Sequence, residues 1–256
     1  MTPPARAFRG VDNFRDFGGY ATVDGKRVRT GVLYRSGHHG QPTAEDLAAL
    51  RDLGIRTVVD LRSKRERCHS PSVRPRDWNG TLIEGDETLE ALPPELADAP
   101  MDLDSPADAR ATMTRFYSAL PFAEGMADLY RRMFAALRAG EVPLVVHCSA
   151  GKDRTGIACA LVLHAVGVPR EVIVRDYLIT GDFADRSALA AAIRNHWGGA
   201  LSAQAADELA GVRRSFVDAT FGAIETRSGS VDRYLDTVMN MGADVRVELR
   251  RRLLEG

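Results

Sequence analysis

Val142-Pro143-Leu144-Val145-Val146-His147-Cys148-Ser149-Ala150-Gly151-Lys152-Asp153-Arg154-Thr155-Gly156 decides the fold of this chain. It begins as a short apolar run, the mark of a strand buried on both faces. Beyond Gly156 it continues as Ile157-Ala158-Cys159-Ala160-Leu161-Val162-Leu163-His164-Ala165-Val166, which reads as a buried helix ended by Gly167 and Pro169. A strand, a tight loop and a helix N-terminus together make an anion site. Backbone N–H groups converge in the loop, and the helix dipole turns its positive end towards it.

The side chains on the loop say what is done with the anion. A helix N-terminus favours thiolate over thiol, which suits Cys148 to nucleophilic attack. Arg154 offers a planar fork of donors that matches two phosphoryl oxygens. Ser149, Ala150, Gly151, Lys152 and Thr155 complete the cradle around a bound phosphate. Thiolate, amides and guanidinium are the apparatus for in-line attack on a phosphate ester, with a cysteinyl-phosphate intermediate. Thr155 is placed to donate its hydroxyl to Cys148, and His147 to orient the loop from behind. Cys159, between two alanines in mid-helix, reads instead as an inert core thiol. The chemistry calls for no metal and no cofactor, and His38-His39 is too isolated to form a metal site.

His147 to Gly156 resembles the signature loop of cysteine-dependent phosphatases, and its Gly151-Lys152-Asp153-Arg154 form is similar to that of the atypical bacterial tyrosine and lipid phosphatases. Asn13-Phe14-Arg15-Asp16-Phe17-Gly18-Gly19, Tyr34-Arg35-Ser36 and Asp60-Leu61-Arg62-Ser63 carry the same resemblance. It implies hydrolysis of phosphotyrosine, often of phosphoserine and phosphothreonine, and sometimes of phosphoinositides. It also implies that Asp153 is the general acid, and it favours a site role for Asp60 and Arg62. Lys152 would then supply an extra cation where further phosphates flank the scissile one.

With 34 Lys+Arg against 35 Asp+Glu, no global field draws the chain to nucleic acid or to an anionic membrane. No segment reaches transmembrane length and no apolar signal core is present, so stable membrane insertion is not expected. Three cysteines without paired spacing suit a reducing compartment. The expected location is cytoplasmic, or outside the cell by a route without a signal peptide.

Along the chain, Tyr20–Val23 and Lys26–Arg29 flank Asp24-Gly25, a strong hairpin signal. Gly31 to Ser36 reads as a strand whose Arg35 either faces the phosphate site or is a solvated strand-end charge. Thr43 caps a helix carrying Leu47, Leu50 and Leu53, with Asp46 in a capping-box position and Gly54 as the stop. Ile55 to Leu61 is the next strand, so Asp60 and Arg62 lie at its carboxyl end, where ligands bind in open α/β sheets. Asp60 could equally cap a turn there. Ser63 to Gly80 reads as basic and then turn-rich, and Thr81-Leu82-Ile83 as a short strand. Residues 86–108 form an acidic, proline-rich stretch without a period, read as a solvated insertion in preference to a lid. Helices follow over 107–120 and over the stripe from Met126 to Leu137, ended by Gly140. Residues 183–255 read as helical throughout, with 203–221 as one amphipathic helix.

The expectation is one three-layer α/β domain over 1–256. It has the cysteine-phosphatase fold, a mainly parallel sheet of four or five strands and an extra C-terminal helical region. Within it, residues 183–225 either cover one side of the sheet or fold over the phosphate site. The function expected is phosphomonoester hydrolysis on a phosphorylated protein or a phosphoinositide. A non-catalytic phosphate-binding module and a rhodanese-type sulfur transferase are the readings from other classes. For the proton donor, Asp102, Asp104 and Asp108 lie in the irregular stretch and Asp128 on a helix, which leaves Asp153 and Asp60.

Overall fold

A computed structural model describes residues 8–85, 103, 105–196 and 201–256. Its centre is a five-stranded sheet of β1 (Arg15–Asp16), β3 (Leu33–Ser36), β4 (Thr57–Asp60), β5 (Thr81–Glu84) and β6 (Leu144–His147), in the order β1-β3-β6-β4-β5. All pairs are parallel except β1 with β3 at one edge. The apolar run before Cys148 is thus the middle strand, and β3, β4 and β6 are buried along their whole length. Strand geometry sends successive side chains to opposite faces. Tyr34, Val58 and Val145 accordingly enter one core with Phe14 and Leu50, while Leu33, Val59, Leu144 and Val146 enter the other.

The smaller core lies under α1 (Ala44–Asp52), whose Thr43–Asp46 capping box is as expected. The larger one lies on the other face, filled chiefly from the helices over 106–178 and 214–253. α2 is Lys64–His69, α3 Pro106–Ala119, α4 Glu124–Ala139 and α5 Asp153–Ala165. α6 (Arg170–Leu178), α7 (Thr180–Phe183), α8 (Arg186–His196) and α9 (Ala203–Ala210) follow, then α10 (Arg214–Ser228), α11 (Val231–Thr237) and α12 (Ala243–Leu253). Gly140 ends α4 in the left-handed conformation, at φ 79°.

Several expectations need correcting. The Asp24-Gly25 hairpin forms but is short, with a bridge between Ala21 and Arg27 flanked by Thr22 N–H to Lys26 carbonyl and Val28 N–H to Tyr20 carbonyl bonds, each 2.9 Å. Its second strand, β2 (Arg27–Val28), also pairs on its other side with a strand at the far end of the chain, β7 (Leu254–Glu255). The Ser63–Gly80 stretch contains α2, capped by Ser63 and Glu66. The single helix expected over 203–221 is two, broken at Gly211. The helix after Cys148 starts at Asp153, inside the loop. Most of the acidic stretch, including Asp102 and Asp104, lies outside the described residues, while Ser105 caps α3, its hydroxyl oxygen accepting from the Asp108 N–H.

Parallel register places Ser36, His147 and Asp60 side by side at one sheet edge, so the segments after β3, β6 and β4 converge there. Gly151 marks how tightly. It has φ +66°, and a Cβ there would lie 2.2 Å from the carbonyl oxygen of Ser36. Gly151→Ala combines a strained φ with a backbone clash, so it should cost about 2 kcal/mol or more, a fall in Tm of about 4–8 °C. Thermal unfolding of the two proteins checks this, and an unchanged Tm would contradict the packing described.

Candidate active site

Cys148 is buried at the end of β6, and the loop after it wraps to the first turn of α5. The loop is held by its carbonyl oxygens. The His38 N–H donates to the Ser149 carbonyl at 3.0 Å. The Asn13 side-chain amide donates to those of Ala150 (3.2 Å) and Gly151 (2.8 Å). Arg35 Nη2 reaches the Gly151 oxygen at 3.1 Å, and the Tyr130 hydroxyl the Arg154 oxygen at 2.9 Å. In a trans peptide the C=O and N–H point in opposite directions. Carbonyls tied to the surrounding scaffold therefore leave the adjoining N–H groups for the inside of the loop. Lys152, at the N-cap of α5, makes no side-chain cap bond, so the first-turn amides are also left for an anion.

Arg35 takes neither of the places expected for it. It is fully buried beneath the loop, with Nη1 2.8 Å from the Asp176 carboxylate on α6. Arg15 lies in the same cluster and donates to Thr180 Oγ1 at 2.9 Å and to the Asn13 side-chain oxygen. Burial, with the charge of Arg35 beside it, brings Arg15 down to about 10. The Tyr20 hydroxyl donates to the other oxygen of Asp176 at 3.0 Å. Two guanidiniums and one carboxylate are thus enclosed under the catalytic loop. Cys159 is buried close by, and burial pushes its thiol up to about 12, as suits a core residue.

Arg154 is gripped by a residue that the sequence reading overlooked. Both of its terminal nitrogens bind Glu66 of α2, at 2.6 and 2.7 Å, and Nη1 also donates to the Leu61 carbonyl at 3.1 Å. Burial would raise the Glu66 carboxyl, but its hydrogen bonds with Arg154 hold it well below the usual carboxylate range. Glu66 further accepts from Ser149 Oγ at 2.6 Å and from the Ser63 N–H at 2.8 Å. One carboxylate therefore joins the cap of α2, the front of the loop and the arginine at its back. The signal was present as Ser63-x-x-Glu66, the capping-box spacing.

The remaining candidates separate. Asp153 Oδ1 accepts from the Tyr117 hydroxyl at 2.6 Å, and its side chain is partly exposed. Lys152 is buried, and its ammonium donates to the carbonyls of Leu209 and Gly211 (3.1 Å to the latter), where α9 ends. The Thr155 hydroxyl is buried and has no hydrogen-bond partner among the described residues, Cys148 included. Asp60 and Arg62 are committed to each other, at 2.9 Å from Nε and 2.7 Å from Nη2. Arg62 spends its other contacts on the Ser70 carbonyl and the Ser72 hydroxyl. Burial opposes the Asp60 charge, but His147 and Arg62 overcome it and hold the carboxyl down at about 2. A group so acidic carries no proton near neutrality, which counts against Asp60 as a proton donor. Asp128 is exposed and pairs with Arg132 on its own helix.

α8 packs on α9 and α9 on α3, around a small separate core of Leu103, Ala109, Leu201, Ala205 and Ala206. The end of α9 thus meets the loop after β6 through Lys152.

The model of a tyrosine phosphatase family matches residues 6–255. A Cupriavidus necator protein that bears a tyrosine-protein phosphatase name is 34% identical, with 98% of this chain and 88% of that protein aligned. The triple specificity protein phosphatase PtpB of Mycobacterium tuberculosis is 32% identical, over 90% of this chain and 92% of its own. A tyrosine-protein phosphatase of Nostoc commune is 27% identical over 60% of this chain and 50% of its own.

Behind the loop, His147 and His39 stack with ring centroids 4.9 Å apart, both buried. His147 Nε2 is 3.6 Å from Asp60, too far for a hydrogen bond, and burial pushes His147 from 6.5 down to about 4. His39 is pushed well below its ordinary value by burial and by the neighbouring His147. Both rings are therefore neutral in the fold, whereas the unfolded chain binds protons below pH 6.5. Their stabilisation is complete above that pH and is lost as the pH falls towards 4; for His147 the loss is on the order of 3 kcal/mol. We expect His147→Asn to flatten the dependence of stability on pH over this window, with His39 keeping its own share. Denaturant midpoints measured across the window test it; parallel curves for the two proteins would refute it.

Proposed function

We propose that this chain, which belongs to the tyrosine phosphatase family and is a phosphatase, works through a cysteinyl-phosphate on Cys148. The observation that carries the reading is the loop itself, with a buried cysteine under inward-turned amides and an arginine pre-set by a carboxylate. The phosphoryl group sits in the amide cradle with Arg154 on its equatorial oxygens. The Cys148 thiolate attacks phosphorus as the ester P–O bond breaks, and the leaving oxygen takes a proton from Asp153. Asp153, now a carboxylate, then accepts a proton from water as that water attacks phosphorus. The P–S bond breaks, the thiolate is restored and phosphate leaves. Arg154 and the amides act where charge spreads in the transition state, the form of stabilisation that costs no reorganisation.

The substrate range we propose is phosphotyrosine with phosphoserine and phosphothreonine, and phosphoinositides as a weaker class. The name of the Mycobacterium tuberculosis relative, triple specificity, supports a broad range. Lys152 reaches a phosphate beside the scissile one only by leaving the carbonyls of Leu209 and Gly211, and this is why the lipid class ranks lower. By the same contact, residues 183–225 serve as a cover docked on the shoulder of the loop.

Cys148→Ser should abolish turnover and still bind a phosphotyrosine peptide with a Kd within about tenfold of wild type. A residual rate above about a hundredth of wild type would count against the nucleophile, because its loss ordinarily costs far more. Lys152→Ala should reduce phosphoinositide turnover at least about fivefold more than phosphotyrosine turnover, since a neighbouring phosphate loses a charge-assisted contact. Equal losses on the two substrates would assign Lys152 to holding the helical segment alone.

A further inference from the structure

Beside the catalytic loop lies a polar chain that none of the steps above uses. Tyr117 on α3 and Tyr177 on α6 are both buried, and their hydroxyl oxygens are 2.6 Å apart. Tyr117 is 2.6 Å from Asp153 Oδ1.

The contact with Asp153 sets the direction of the other. A carboxylate oxygen accepts, and each tyrosine hydroxyl has one proton to give. Tyr117 gives its proton to Asp153 Oδ1, so the proton between the two phenols comes from Tyr177. Neither phenol ionises near neutrality. Burial, joined by the Asp153 charge, pushes both hydroxyls far above their usual range. Other charged groups face the carboxylate from nearby. Lys152 Nζ lies 3.5 Å from the same Oδ1, Arg154 is the next residue, and Arg35 lies beyond Tyr177. Both described contacts to the carboxylate thus fall on Oδ1.

We infer that Tyr117, backed by Tyr177, is a positioning residue that reserves Asp153 Oδ1 as a hydrogen-bond acceptor and so places the transferable proton on Oδ2. An oxygen that accepts from a phenol and faces an ammonium is the poorer place for a proton. The proton on Oδ2 passes to the leaving oxygen as the P–O bond breaks; no proton travels along the tyrosines, which stay neutral. The inference rests on the reading of Asp153 as general acid. It adds that the orientation of the acid is set from α3 and α6.

The experiment compares phosphotyrosine with an activated dinitrophenyl phosphate, whose leaving group departs without help. Tyr117→Phe keeps the ring and removes the hydroxyl. It should lower kcat on phosphotyrosine by about tenfold or more, leave dinitrophenyl phosphate within about threefold, and leave both KM values unchanged. Tyr177→Phe should show the same selectivity with a smaller loss, and it covers the case in which Tyr117→Phe fails to fold. In an Asp153→Asn background, Tyr117→Phe should add no more than about a twofold change, because the two act through one proton. Equal losses on both substrates, or full additivity with Asp153→Asn, would overturn the positioning role and reduce Tyr117 to packing. Asp153→Asn without leaving-group dependence would overturn the acid assignment itself, and the inference with it.

Discussion

The tether between buried side chains and the carbonyl oxygens of the catalytic loop is the constraint on which the rest of the site depends. Gly151 alone is held by Asn13 and Arg35 together, and Ser36 blocks any side chain at that position. The tether is costly, because Arg35 must be enclosed as a charge. It is sustained only because Asp176 and Tyr20 close around it from other elements. Removing one partner of such a buried set leaves an uncompensated charge and is far more damaging than the net worth of the pair. The segment around Asn13 and α6 are therefore structural supports of the loop after β6, although both lie behind it.

Glu66 plays the corresponding part for Arg154. A free guanidinium would have to be frozen on binding, and this one is held in advance by two hydrogen bonds and by the Leu61 carbonyl. A guanidinium keeps its charge unaided, and Glu66, ionised near neutrality, balances it. Because the carboxylate also accepts from Ser149 and caps α2, the arginine cannot shift without disturbing three other contacts. The loop and its arginine are thus fixed in advance of any ligand.

Much of this was legible in the sequence because the strongest signals were local. The strand–loop–helix around Cys148, the capping box at Thr43, the stop at Gly140 and a mainly parallel sheet of four or five strands all follow from short-range pattern, and the structure agrees with each. What escaped depends on contacts between distant residues. The burial of Arg35 requires Asp176, and the pairing of β2 with β7 joins Arg27–Val28 to Leu254–Glu255. Tyr117 has no local signature at all, since an aromatic at helical spacing looks the same whether it fills a core or donates to a carboxylate. α2 was legible but went unread, because the basic character of 64–67 drew attention from the spacing of Ser63 and Glu66.

The break at Gly211 has one more consequence. It leaves carbonyl oxygens at the end of α9, and the ammonium of a catalytic-loop residue satisfies them. On the proposed role of Lys152, that single side chain makes the docking of the helical segment and the charge offered to substrate one thermodynamic quantity. An anion that draws Lys152 inward then loosens the segment, and by reciprocity a firmly seated segment weakens that anion by the same factor. Under that proposal, substrate preference and the seating of α9 cannot be tuned apart.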